Sequence, residues 1–198
     1  MGITKRQTHI PSTIRRVVRP SLIAASAFVF ATSVPAAAIP APAGLHESSK
    51  LKAISTSVAK KTVQVMCANE DDAWRAQAEA GVLGPTADPS AGMGGLAKPG
   101  ASTLYLAWST CDFLLERLRD GHPDLIEVAA SILTLVHESV HLRGVREESV
   151  TDCTALMLMP SVAVKFFHFK AGSITLSNLM FYARLAHGAK PASYKTLC

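Results

Sequence analysis

Leu133-Thr-Leu-Val-His137-Glu138-Ser-Val-His141-Leu-Arg-Gly144 is the stretch from which both the fold and the chemistry can be read. Side chains four residues apart on a helix lie on one face. His137 and His141 hold that spacing, so their imidazoles can reach a single ion. Glu138 projects beside the pair, where it can meet a water held by that ion. Leu125, Val128, Ala129, Ile132, Leu135, Val136 and Val140 cover most of the same helix, which predicts burial on nearly every side. Two imidazoles and a carboxylate are costly to bury in such a helix unless something pairs them. A metal ion does so. One histidine alone would read as an ordinary core residue, but two of them flanking a glutamate do not.

Gly144 is placed to adopt the left-handed conformation that ends a helix and turns the chain. A second helix is expected from near Glu147 to Met159, with Pro160 as its stop. A catalytic zinc takes three protein ligands and keeps one position open. Two acids, Glu147 and Glu148, compete for the third place. The pattern His137-Glu138-x-x-His141 is the H-E-x-x-H signature of zinc hydrolases, in which the histidines bind metal and the glutamate is the general base. His141-x-x-Gly144-x-x-Glu147 has the spacing of the metzincin peptidases, but histidine or aspartate is usual at the last position and no Met-turn follows. Glu148-Ser-Val-Thr-Asp152 resembles instead the E-x-x-x-D half of the gluzincins, the thermolysin-like zinc peptidases. That resemblance implies Glu148 as the third ligand, and Asp152, one turn on, as the acid that orients a ligand histidine. Glu148 is the preferred assignment. The departure from thermolysin-like proteins is the short link, since six residues separate His141 from Glu148 and a tight turn at Gly144 is required. Residues 134–159 also look like a group of small exported bacterial proteins with a metallopeptidase-type core. The resemblance is weaker for the two upstream strands and absent elsewhere.

The first 38 residues stand apart. Lys5, Arg6, Arg15, Arg16 and Arg19 give a basic start without an acid, an apolar run spans Leu22 to Val34, and Pro35-Ala36-Ala37-Ala38 offers small residues for cleavage. The expectation is an export signal over residues 1–38, ahead of one domain over 39–198. An uncleaved anchor is the alternative. Arg15-Arg16 hints at twin-arginine export, but its flanks fit ordinary secretion better. The apolar run is short for a membrane span, so no stable insertion is expected after cleavage, and the location is secreted or extracytoplasmic. The five net positive charges of the chain all lie in this leader, which leaves 15 basic and 15 acidic residues beyond it. With no basic excess to neutralise phosphates, no nucleic-acid partner is expected. Cys67, Cys111, Cys153 and Cys198 form an even set behind an export signal and read as two disulfides, with three pairings open. No C-x-x-C occurs, which disfavours a metal site built on cysteine.

Elsewhere the reading is coarser. Ile39 to Ser49 is expected to be a loose terminus. Leu51, Ile54 and Val58 predict a short helix over 50–61, and Thr62 to Cys67 a strand. Asn69 is expected to cap a helix through Arg75, with Trp74 as a packing residue. Gly81 to Gly100, with six glycines and three prolines, reads as a loop. Ser102 to Trp108 reads as a strand, either an ordinary core strand or an edge beside the metal-bearing helix that holds substrate backbone. A helix capped by Ser109 or Thr110 and ended by Gly121 follows. Val162 to Phe169 has no clear period, and Leu176 to Leu185 reads as a last helix opened by Thr175 or Ser177.

The expected fold is α+β, mainly helical, with a small sheet packed on the metal-bearing helix and a second ligand-bearing helix after it. A domain of roughly 160 residues can bury a sizeable core. The expected function is zinc-dependent hydrolysis of peptide bonds in a protein or peptide substrate, with His137, His141 and Glu148 on zinc, Glu138 as base and Asp152 behind a histidine. His168, Tyr182, His187, Tyr194 and Arg143 are candidates for stabilising the oxyanion, with no choice among them. The alternative is a secreted zinc-binding or disulfide-stabilised module without turnover. A di-iron carboxylate site is disfavoured, because it needs two Glu-x-x-His pairs and only Glu138-Ser-Val-His141 is present.

Overall fold

A computed structural model describes residues 44–70, 94–120 and 124–189. The expected export signal, the Asn69-capped helix with Trp74, Gly121 and Tyr194 therefore lie outside the described residues, except for Asn69 and Glu70. Contacts divide the chain into residues 1–38 and 39–198, and only the second unit is described below.

The fold is α+β and mainly helical, with a four-stranded sheet and five helices among the described residues. In chain order these are β1 (Leu45–Glu47), α1 (Ser49–Ala59), β2 (Gln64–Ala68), β3 (Gly95–Ala97), β4 (Thr103–Leu106), α2 (Trp108–Asp120), α3 (Leu125–His141), α4 (Glu148–Phe166) and α5 (Ile174–Ala189). The sheet order is β1-β2-β4-β3. β2 and β4 run parallel in the middle, and β1 and β3 pair antiparallel on the outside. Two segments read as irregular are thus strands. Leu45–Glu47 pairs with β2, and the end of the glycine-rich stretch pairs with β4. Both are three residues long, too short for period-two alternation to show in the sequence.

The Ser102–Trp108 strand shortens to β4 and is bonded on both sides, so the core-strand reading holds and the edge role fails there. The edge beside α3 is β3. Gly95 fits this position because a Cβ would lie 2.9 Å from Glu138 Cγ and 3.0 Å from both Leu106 Cδ2 and Thr134 Cγ2. Ala107 donates to the Gly94 carbonyl. The antiparallel alternation then turns the polar groups of Gly95 and Ala97 away from β4.

Apolar spacing accounts for the helices. Leu51, Ile54 and Val58 face inward from α1, whose first turn is capped by the Ser48 hydroxyl. α3 starts at Asp124, which accepts from the Ile126 and Glu127 N–H groups, and it is buried almost all round from Val128 onward. Its end is tied down from two sides. The Gly100 N–H donates to the His141 carbonyl at 2.9 Å, and Arg143 Nε donates to the Val58 carbonyl at 2.6 Å. The remaining boundaries differ modestly from expectation. α2 starts at Trp108, ahead of Ser109 and Thr110, and Ser173 caps α5 in place of Thr175 or Ser177. Pro160 does not stop α4, which continues to Phe166. An internal proline costs about 3 kcal/mol. Past it, Val162 and Ala163 are buried in the main core with Phe167, and that packing offsets the lost hydrogen bond. No helix among the described residues is long and apolar enough to cross a membrane.

Candidate metal centre

The last turn of α3 and the first turn of α4 meet at the corner that Gly144 makes with φ +95°. His137 and His141 stand one turn apart on α3, with Nε2 atoms 3.0 Å apart. Glu148, the first residue of α4, places Oε2 3.1 Å from His137 Nε2 and Oε1 3.4 Å from His141 Nε2. These three residues form the group able to hold a metal ion among the described residues.

The donor set can be tested against an ion. Zinc bonds of about 2.0–2.1 Å in a tetrahedron imply ligand-to-ligand edges of roughly 3.3–3.4 Å. The observed 3.0, 3.1 and 3.4 Å are close to that triangle. Tautomers strengthen the case. His137 Nδ1 lies 2.6 Å from Asp152 Oδ1, and His141 Nδ1 lies 2.8 Å from the Val145 carbonyl. Both partners are acceptors, so each Nδ1 carries a hydrogen, and each Nε2 presents its lone pair to an ion once any second proton has left the ring. Two imidazole lone pairs and a carboxylate therefore converge on one point. Such a set repels itself and binds a cation. Two imidazole nitrogens and a carboxylate oxygen suit a divalent transition-metal ion.

Electrostatics follow the same geometry. Hydrogen bonds to His137 and then His141 hold the Glu148 carboxyl well below its usual range, and its place at a helix N-terminus favours the charge. Burial pulls the His141 imidazole down, but Glu148, the Val145 carbonyl and Glu138 outweigh it and hold the ring above its ordinary value. Glu147 is exposed and accepts from the Ser149 hydroxyl at 2.8 Å, so the metzincin-like spacing brings it to no histidine. Asp152 lies fully buried behind His137, as the resemblance to the gluzincin pattern implies.

Glu138 is buried beside the ligands. Burial pushes its carboxyl upward, opposed by the nearby His137 and His141, and the Ala97 N–H of β3 hydrogen-bonds to it. The acid is thus held between the metal-binding corner and the edge strand. No pattern in the chain marks this contact with β3, because a three-residue strand at the end of a glycine-rich stretch is too short to show one.

Among the described oxyanion candidates, Arg143 and His187 are engaged with other partners. Arg143 is engaged on Val58, and His168 is exposed at a positive φ of 57°. His187 turns its Nδ1 to Asp152 Oδ2 at 3.3 Å. Of the cysteines, Cys67 is bonded to Cys111, joining β2 to α2. Cys153 is also disulfide-bonded, to a residue outside those described.

Comparison with protein-family models, curated proteins and solved structures returned no match. The functional reading therefore rests on the site itself.

Proposed function

We propose that this chain is an exported zinc-dependent peptidase of the H-E-x-x-H, gluzincin-like kind, acting on a protein or peptide substrate. The observation that carries the reading is the convergence of two imidazole Nε2 atoms and a carboxylate at near-tetrahedral spacing beside a buried glutamate. His137, His141 and Glu148 hold the ion, and Asp152 fixes the tautomer and direction of His137. Bound zinc supplies a water acidified toward neutrality and a Lewis acid for the scissile carbonyl. Glu138 takes the proton from the attacking water and passes it to the leaving amine nitrogen as the C–N bond breaks. Its burial raises its proton affinity, which suits a group that must hold a proton between those two transfers. Of the outward polar groups on β3, the Ala97 N–H holds Glu138, which leaves those of Gly95 and the Ala97 carbonyl to pair with an extended substrate backbone.

Residues 1–38 act as the export signal in this reading. The Cys67–Cys111 disulfide fits an oxidising compartment. The same bond and metal group also fit a secreted zinc-binding module without turnover, and Glu138 separates the two readings. Metal analysis of the purified protein should find one zinc per chain, lost in His137→Ala, His141→Ala and Glu148→Ala. Glu138→Gln should keep the zinc and lose cleavage of a general protein substrate. Zinc bound with no cleavage in the parent protein would leave the non-catalytic module, and no stoichiometric zinc would end both readings.

A further inference from the structure

We propose that His187 is a positioning residue for the metal centre, acting through Asp152 on the ligand His137. The inference rests on the metal reading above and adds a third helix to the site. Asp152 has a fully buried carboxylate with both oxygens engaged. His137 takes Oδ1 at 2.6 Å, and His187 Nδ1 approaches Oδ2 at 3.3 Å. Because the carboxylate can only accept, His187 Nδ1 is the donor. A buried carboxylate left short of donors is costly and free to rotate toward whatever donor it finds. His137 has a single N–H to give, since its Nε2 faces the ion. A donor on the second oxygen therefore helps to hold the plane of Asp152, and with it the ring of His137.

The placement of His187 in α5 makes this more than a chance contact. Leu179 and Ala183 are fully buried on α5, and His187 follows at the same four-residue step, on the inward face. α5 packs on both α3 and α4, the two helices that bear the ligands. The apolar stripe that docks α5 thus ends in an imidazole aimed at the acid behind the metal. Groups that orient a ligand histidine typically change metal affinity by about 10- to 100-fold when removed. His187 stands one step further out, so the lower end of that range is expected.

The test is zinc affinity, measured by competition with a chromogenic chelator on the full-length protein, with the visible spectrum of the cobalt-substituted form as a second readout. His187→Ala should weaken zinc about 10-fold and shift the cobalt bands. His187→Asn, whose amide can donate from near the Nδ1 position, should restore most of both. Leu179→Ala removes a packing residue on the same face without touching Asp152 and should leave both near the parent values. An unchanged affinity and spectrum in His187→Ala overturns the proposal, and so does an equal loss in Leu179→Ala. If His187→Ala fails to fold, the parent protein decides. The His187 imidazole N–H resonance should be hydrogen-bonded and should move on addition of zinc, and a signal indifferent to zinc overturns the inference. Absence of stoichiometric zinc in the parent protein would instead remove the metal reading itself.

Discussion

Two titrating side chains three residues apart in α3, Glu138 and His141, set opposite conditions on the site. His141 must lose the proton that Glu148 and the Val145 carbonyl help to hold in the metal-free chain, because a ligand imidazole binds through a free lone pair. Its raised pKa means that zinc and protons compete from above about 6.5 downward. Zinc affinity should therefore fall by about 10-fold per pH unit across that range for this one proton. Glu148, held far below the usual carboxylate range, adds no proton to the competition there. Chelator competition between pH 5.5 and 8 tests this, and a flat profile contradicts it. Glu138 works in the other direction. Its folded pKa is raised, so its contribution to stability is fully present below the unfolded value of roughly 4 and is lost as pH rises through the folded value. Neutral Glu138→Gln should accordingly melt above the metal-free parent at pH 7, and the gap should close as pH falls toward 4. A gap that stays constant with pH would mean that burial of the charge is not its cause.

Glycines at the ends of elements separate a conformational requirement from a spatial one. Gly144 has φ +95° with nothing within 4 Å of a Cβ, so Gly144→Ala is opposed by backbone strain alone. A cost of about 1–2 kcal/mol should lower the melting midpoint by roughly 3–6 °C. It should weaken zinc as well, because the corner aims Glu148 at the histidines. At Gly95 a Cβ meets Glu138, Leu106 and Thr134 together. Gly95→Ala should keep zinc and lower proteolysis by roughly 10- to 100-fold by displacing Glu138, measured as zinc content against cleavage rate. The same contrast explains what could be read in advance. His137 and His141 are legible because helical spacing brings them together, and Glu148 and Asp152 because Glu148-Ser-Val-Thr-Asp152 resembles the gluzincin pattern, once Gly144 turns the chain. β1 and β3 are not, since three residues cannot show a period. Ser102–Trp108 reads equally as a core strand or an edge because strand order is a long-range property, and pairing puts β4 inside the sheet. Pro160 reads as a stop until the burial of Val162 and Ala163 is known. His187 lies 35 residues from its partner, and only the docking of α5 brings it there.

Among the described residues, Cys67–Cys111 and the donor set are tethers of different chemistry between different elements. Cys67–Cys111 joins β2 to α2 across a sequence separation of 44, and the donor set joins α3 to α4. Loop closure of that length constrains the unfolded chain by roughly 3–4 kcal/mol. The double variant Cys67→Ala, Cys111→Ala should therefore lose roughly 6–12 °C of melting midpoint while keeping one zinc per chain, because neither cysteine touches a ligand. Chelation should act by mass action instead. Zinc held at 100 times its dissociation constant contributes about 2.7 kcal/mol, so its removal should lower the midpoint by roughly 5–10 °C, and added zinc should raise it in proportion to the logarithm of its concentration. Calorimetry of both proteins, with and without chelator, distinguishes the tethers. A midpoint indifferent to zinc in the parent protein means that no ion bridges the two helices. Loss of zinc with the disulfide means that the β2–α2 joint helps to set the site, and the contact of β3 with Glu138 is the route by which it could.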